Sequence, residues 1–308
     1  MQQNSKYNEA VSISASSLVH LKKYSSLLAF KLGHIMASKS GDYQSPFKGR
    51  GMEFDESRLY QPGDDIRNID WRVTARTGKT HTKLFREERE RPIYLWVDLR
   101  ASMFFATRGM FKSVMASKLA SLVAWSAEHH GDRIGGVIFS ETLHYELRPH
   151  RGKTGVLRFI KKLVDHPAWQ DPYSGDDKMA ISKALIRMRR IARPGSMIFL
   201  MSDFRYLNEK SEKQLIRLSK HNDITLFYIS DPFEQALPPA GQYRVSDGEK
   251  EIAIETYNKD KIERYRNKYI EHSERLVRIS KMNNVNLISC ATYDDPLEVL
   301  KSHFLVRS

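Results

Sequence analysis

The sequence is short of most features that would name a function outright. It has one cysteine in 308 residues, Cys290. That excludes a disulfide framework and a cysteine-based zinc site, and it fits a reducing compartment. No apolar run approaches the roughly eighteen residues of a spanning helix, and the longest before residue 40 is "LLAF". Neither a spanning helix nor a signal-peptide core is expected, so this reading points to a cytoplasmic protein. Phosphate loops are missing too. Each of the two "GKT" triplets needs a glycine five residues before its own, and those positions hold Val73 (for Gly78) and Leu147 (for Gly152). There is no His-Glu-x-x-His, no Gly-x-Ser-x-Gly and no dinucleotide fingerprint. No block of five or six like charges occurs, although Lys and Arg outnumber Asp and Glu by 50 to 37 and the net charge is +13. A scattered excess belongs to solvated helix faces more readily than to a nucleic-acid groove.

What remains is a length and an apolar content of 41% that suit one large α/β domain with extra segments, or two modest domains. Residues 1–36 predict an N-terminal helical segment, with Leu18, Leu21, Leu28 and Leu32 at roughly helical spacing. Residues 37–91 predict a polar, extended arm, with "QPGDD" as a turn and "THTKLFREE" as a strand. Residues 92–308 alternate strands with helices. The strands are expected at Ile93–Val97, "RIGGVIF", "TLHYELR", "SMIFLMS", "ITLFYIS" and "VNLIS". The helices are expected at 110–130, 153–164, 177–192, 208–220, 259–282 and 295–302. A hairpin is expected over 242–255, turning at Asp247-Gly248. That alternation predicts a doubly wound, mostly parallel sheet of Rossmann type.

In such sheets ligands sit outside the carboxyl ends of the strands. Asp98 ends the first strand, with Ser102 four residues on, and Asp203 follows "SMIFLMS". Oxygen ligands of this kind suit Mg²⁺ or Mn²⁺, while acids at strand ends also cap the helices that follow. Arg100 lies inside the first group. At about 4 Å and an effective dielectric near 20, two unit charges interact by roughly 4 kcal/mol. A guanidinium there competes with a cation and can itself neutralise Asp98 or Asp203.

The arm is the densest polar segment. Arg58, Asp64, Asp65, Arg67, Asp70 and Arg76 interleave with Tyr60 and Trp71, and acids are as frequent as bases. An internal ion-pair network or a partner-binding surface accounts for it better than phosphate binding does.

The stretch "GRGMEFDESRLYQPGDDIRNIDWRVTAR", then "KLFREERERPIYLWVDLRASM", resembles the signature of a bacterial domain-of-unknown-function family, number 58. "GDRIGGVIFS", "FLMSDF" and "DPFEQALPPAG" extend the likeness from about residue 12 to 300. The resemblance implies a von Willebrand factor A-like domain with a metal-ion-dependent adhesion site. In that pattern Asp98 and Ser102 match the ends of the first motif and Arg100 replaces its middle serine. Asp176 or Asp177 stands where a threonine belongs, and Asp203 matches the third loop. The resemblance therefore implies a degenerate site: a binding face of Asp98, Arg100, Ser102, Asp176, Asp177 and Asp203, with no catalytic residue and with Mg²⁺ or Mn²⁺ disfavoured. It also implies a non-enzymatic adaptor for a MoxR-type AAA+ ATPase and an unknown client protein. The alternatives are a metal-dependent hydrolase built on the same carboxylates and a basic nucleic-acid binder.

Overall fold

The apolar run at 93–97 sits at the middle of the protein's main sheet. A computed structural model describes residues 9–29, 52–87, 92–173, 175, 177–235, 241–246, 251–283 and 285–304. The chain divides into two compact units, Met1–Gly33 with Arg91–Ser308, and His34–Glu90.

In the larger unit a short helix α1 (Ala15–His20) precedes the sheet. The sheet is built from β3 (Pro92–Asp98), β4 (Arg133–Phe139), β5 (His144–Arg151), β6 (Met197–Ser202), β7 (Asp223–Ser230) and β10 (Asn286–Ala291). Their order is β10-β7-β6-β3-β4-β5. Every neighbouring pair is parallel except β4 with β5, which run antiparallel at one edge. The helices are α3 (Lys112–His129), α4 (Gly152–Val164), α5 (Ala180–Ile191), α6 (Glu209–Ser219), the single turn α7 (Pro232–Gln235), α8 (Lys259–Asn283) and α9 (Pro296–Phe304). A separate hairpin pairs β8 (Gln242–Ser246) with β9 (Glu251–Glu255); its expected turn at Asp247-Gly248 lies outside the described residues.

Strand side chains alternate between faces, and β3 shows why both faces are buried. Ile93, Leu95 and Val97 join the core that includes residues of α1, α3, α4 and α9. Tyr94 and Trp96 join the core that includes residues of α5, α6 and α8. Full burial of each such side chain contributes about 1.5–3 kcal/mol. α3 is buried on nearly every side, with small serines among its apolar residues. The pair Gly135-Gly136 has a steric cause. A Cβ on Gly136 would collide with the Leu95 carbonyl, and one on Gly135 with the Leu147 carbonyl. The register of β4 against β5 also shifts between Ile134 and Gly136.

Of the one or two helices expected over 11–36, the described residues 11–29 contain a short one, and Leu32 lies outside the described residues. α1 begins at a capping box on Ser14 and passes into a 3₁₀ helix, Leu21–Leu27. The segment is fastened to α3 rather than standing apart. Trp125 Nε1 donates to the Leu18 carbonyl at 3.0 Å and Ser126 Oγ to the Leu28 carbonyl at 2.9 Å.

The smaller unit is a hairpin, β1 (Met52–Leu59) with β2 (His81–Glu87), closed by a loop that carries α2 (Trp71–Thr77). Neither β1 nor α2 was expected from the sequence. The strand's register shifts between Phe54 and Glu56, which breaks the two-residue alternation that reveals a strand. The helix has only seven residues. It is fixed by its ends: Asp70 Oδ1 accepts from Val73 N at 3.2 Å, and Gly78 ends it at φ 70°.

Candidate functional site

β3 lies between β4 and β6, so the chain's crossovers diverge on either side of it. The crevice at the carboxyl ends of β3 and β6 is the topological switch point. Asp98 closes β3 there and is fully buried. Its Oδ1 accepts from Arg100 N at 2.9 Å and from Arg100 Nε at 3.0 Å. Its Oδ2 accepts from Arg100 Nε at 3.0 Å, Arg100 Nη2 at 2.7 Å and Ser202 Oγ at 2.6 Å. Arg100 is 2% exposed and its Nη1 donates to the Arg205 carbonyl at 3.0 Å. The guanidinium thus folds back on its own strand end and does not reach solvent.

Asp203 is the second carboxylate. Arg100 Nη2 lies 3.4 Å from its Oδ1 and Lys112 Nζ donates to its Oδ2 at 2.9 Å. Lys112, the first residue of α3, is fully buried and donates also to Glu234 Oε1 at 2.7 Å. Arg205 Nη2 donates to the same Glu234 oxygen at 2.8 Å. Three cations (Arg100, Lys112, Arg205) and three anions (Asp98, Asp203, Glu234) therefore interlock. Burial alone would push the Asp203 carboxyl up; Lys112, Arg100 and Arg205 together overcome it and hold the group far below the usual carboxylate range. Two residues in left-handed backbone conformation, Phe204 at φ 52° and Tyr206 at φ 63°, turn the chain immediately after Asp203. Bulky side chains occupy that region at a cost. His272 Nε2 bonds the Asp203 carbonyl at 2.9 Å.

These residues do not fit a divalent cation. Ser102 Oγ is buried without a hydrogen-bond partner among the described residues and could serve as a ligand. But one open hydroxyl does not offset two carboxylates already bridged to buried cations. Among the described residues no three acidic, histidine or cysteine side chains form a ligand set. Asp177 is turned to other work. Its Oδ1 accepts from Met179 N at 2.9 Å in the turn that leads into α5, and its Oδ2 takes Lys183 Nζ at 2.8 Å. Asp176 lies outside the described residues. Sequence reasoning missed Lys112, Glu234, Ser202 and Arg205. A lysine opening a helix whose middle turns hold small and apolar residues was the available signal for the first.

Beside the crevice is a cavity of about 210 Å³ lined by Ser140, Glu141, His144, Asp177, Lys183 and Arg187 among others. The Glu141 carboxylate accepts from Ala101 N at 3.0 and 3.2 Å, and burial pushes its pKa up to about 7. A carboxyl raised on folding from 4.5 contributes stability below that value and loses it as pH rises through 7. Glu141→Gln should accordingly flatten the stability profile between about pH 5 and pH 8. Urea denaturation at both ends checks this; equal slopes for the two proteins would contradict it.

In the smaller unit the acids serve the hairpin itself. Arg58 Nη2 donates to Asp64 Oδ1 at 2.6 Å, Asp65 Oδ1 accepts from Arg67 N at 2.9 Å, and Asp70 Oδ2 accepts from Ser57 Oγ at 2.8 Å. Tyr60 N joins the hairpin through the Thr80 carbonyl. Arg67, Trp71 and Arg76 are exposed.

Residues 56–275 match the family described as "Protein of unknown function DUF58". The chain belongs to the DUF58 family. Uncharacterized proteins of Mycobacterium bovis and Mycobacterium tuberculosis are 29% identical to this DUF58 chain over 216 residues. The match covers 70% of the chain and 66% of those relatives' length. Among solved structures, an aerotolerance-related membrane protein from Bacteroides fragilis is similar, with TM-score 0.45 and 14% identity over 69% of this chain and 96% of that one. An uncharacterized membrane spanning protein from Vibrio fischeri is similar with TM-score 0.23 and 14% identity over 70% and 97%. The expectation of a cytoplasmic protein does not stand beside these names, both of which speak of a membrane. A lone cysteine and the lack of a long apolar run do not assign a compartment. No helix among the described residues of this DUF58 protein is long and apolar enough to cross a bilayer.

Proposed function

We propose that this DUF58 protein is a non-enzymatic interaction module with a von Willebrand A-like sheet, working as an adaptor for a MoxR-type AAA+ ATPase. The sheet order supports the A-like reading: a parallel core with one antiparallel edge strand, and the two carboxylates at adjacent strand ends, Asp98 and Asp203. The observation that carries the adaptor reading is charge compensation inside the crevice. The cationic groups of Arg100 and Lys112 occupy the carboxylate oxygens that an ion or a reacting water would need. A face neutralised from within needs no metal to accept a partner, and Asp98, Asp203 and Glu234 are each held by a cation rather than left to act as a base.

The ATPase comes from the family resemblance, and a direct experiment tests it. The full chain, immobilised, is exposed to each purified MoxR-type ATPase of the same organism, loaded with a slowly hydrolysed nucleotide. Saturable retention of one of them is expected. Failure of all of them to bind would remove the adaptor role.

A further inference from the structure

The smaller unit displays its large apolar side chains to solvent. Leu59 is 53% exposed, Ile66 66% and Trp71 69%. One such residue is ordinary, but three within a small hairpin unit form a feature that calls for a partner. They lie close along the fold. Leu59 pairs with His81 across the hairpin, the His81 carbonyl accepts from Asp70 N, and Trp71 follows directly. Ile66 is joined to the same stretch through its carbonyl, which accepts from Ile69 N.

The exposed charges around them are mostly basic: Arg67, Arg72 and Arg76, with Asp65 the exposed acid beside Ile66. In α2, residues 71, 72, 75 and 76 are exposed while 73 and 74 are partly buried. The outward face of that turn therefore carries Trp71 with Arg72 and Arg76. Arg67 stands exposed beside Ile66. The acids that balance the composition are engaged locally: Asp64 with Arg58, Asp65 with the Arg67 amide, Asp70 with Ser57 and the α2 amide. Among the described residues none of Arg67, Arg72 and Arg76 forms an ion pair with a carboxylate. The outward face thus combines an amphipathic aromatic ring, two aliphatic side chains and three guanidinium groups.

We infer that this face of the hairpin unit docks on the surface of an anionic lipid bilayer, with Trp71, Ile66 and Leu59 entering the interfacial layer and Arg67, Arg72 and Arg76 meeting headgroup phosphates. The chemistry favours lipid over the other polyanions. Trp at the headgroup level, aliphatic side chains just below it and arginines around them is the pattern of interfacial binding. Nucleic acid would use the ring and the arginines but would leave Ile66 and Leu59 in water. An acidic protein would need a shaped pocket for its side chains, and the three apolar residues project outward.

The test is co-sedimentation of the full chain with vesicles of phosphatidylcholine alone and with added phosphatidylglycerol. Binding only to the anionic vesicles is expected, weakening as salt rises. Arg72→Gln with Arg76→Gln should weaken it roughly thirtyfold, at about fivefold for each charge removed, and Trp71→Ser on the order of tenfold. These side chains are exposed, so circular dichroism should report an unchanged fold. Trp71 is the most exposed of the four tryptophans, so binding should blue-shift the emission and shield it from iodide. Both changes should vanish in Trp71→Phe. The inference is overturned by no binding to anionic vesicles, or by variants that bind as the parent does. It is equally overturned if the chain shifts duplex DNA or is retained on polyglutamate while leaving vesicles alone.

Discussion

Replacing Lys112 by methionine should cost about 3–5 kcal/mol, the usual penalty for removing one member of a buried ion pair. The size follows from what stays behind. Asp203 and Glu234 keep their buried positions, and among the described residues the cations left to them are Arg100 and the half-exposed Arg205. The midpoint of thermal unfolding should fall by roughly 10 °C for a unit of this size. The pH dependence gives a second check. Asp203 is held low in the folded state, burial being overcome by Lys112, Arg100 and Arg205. Its contribution is therefore present above the ordinary carboxylate pKa and is lost as pH falls. Without Lys112 the group is held less low and can take up a proton at mild acidity. The deficit of the variant should be largest near neutral pH and shrink in acid. A double-mutant cycle with Asp203→Asn isolates the pair and should return a coupling of about 1–3 kcal/mol. Additive losses would mean that the Lys112 ammonium does not act through Asp203.

Arg100→Ser carries the second large effect, in two parts. Alone it should destabilise by a similar amount, since Asp98 loses every donor it takes from the guanidinium and, among the described residues, keeps Ser202 Oγ and the residue 100 amide. It also places a hydroxyl between Asp98 and Ser102. Mg²⁺ or Mn²⁺ should then restore part of the lost stability by binding the folded state alone. Lys112 still holds Asp203 Oδ2, so the recovery should be partial and require millimolar ion. The parent protein should show no heat of binding in calorimetric titration. Micromolar uptake of either ion by the parent would sink the account of Arg100 as the internal counter-charge.

Most strands and longer helices of the larger unit were legible because they satisfy local rules. β3, β6 and β7 are unbroken apolar runs, as strands covered on both faces must be. The hairpin unit was less legible. β1 hides behind its register shift, and α2 is held by a cap and a terminal glycine, not by apolar spacing. At the N-terminus Leu18 and Leu28 are buried, as their apolar spacing suggested, but the chain between them passes from an α-helix into a 3₁₀ helix. Arg100 and Asp98 could be paired by eye, being two residues apart. Lys112, by contrast, is 91 residues from Asp203 and 122 from Glu234, and nothing local marks those partners.

By itself the amino-acid order determined the alternation of elements, the doubly wound sheet and the acids at the ends of two strands, because periodicity and chain punctuation act over a few residues. Only the tertiary structure decided that those acids are neutralised from within, that Asp177 pairs with Lys183, and that Trp71 faces outward. Those outcomes depend on which distant side chains burial brings within hydrogen-bond reach, and desolvation, not sequence spacing, sets what each charge must then find.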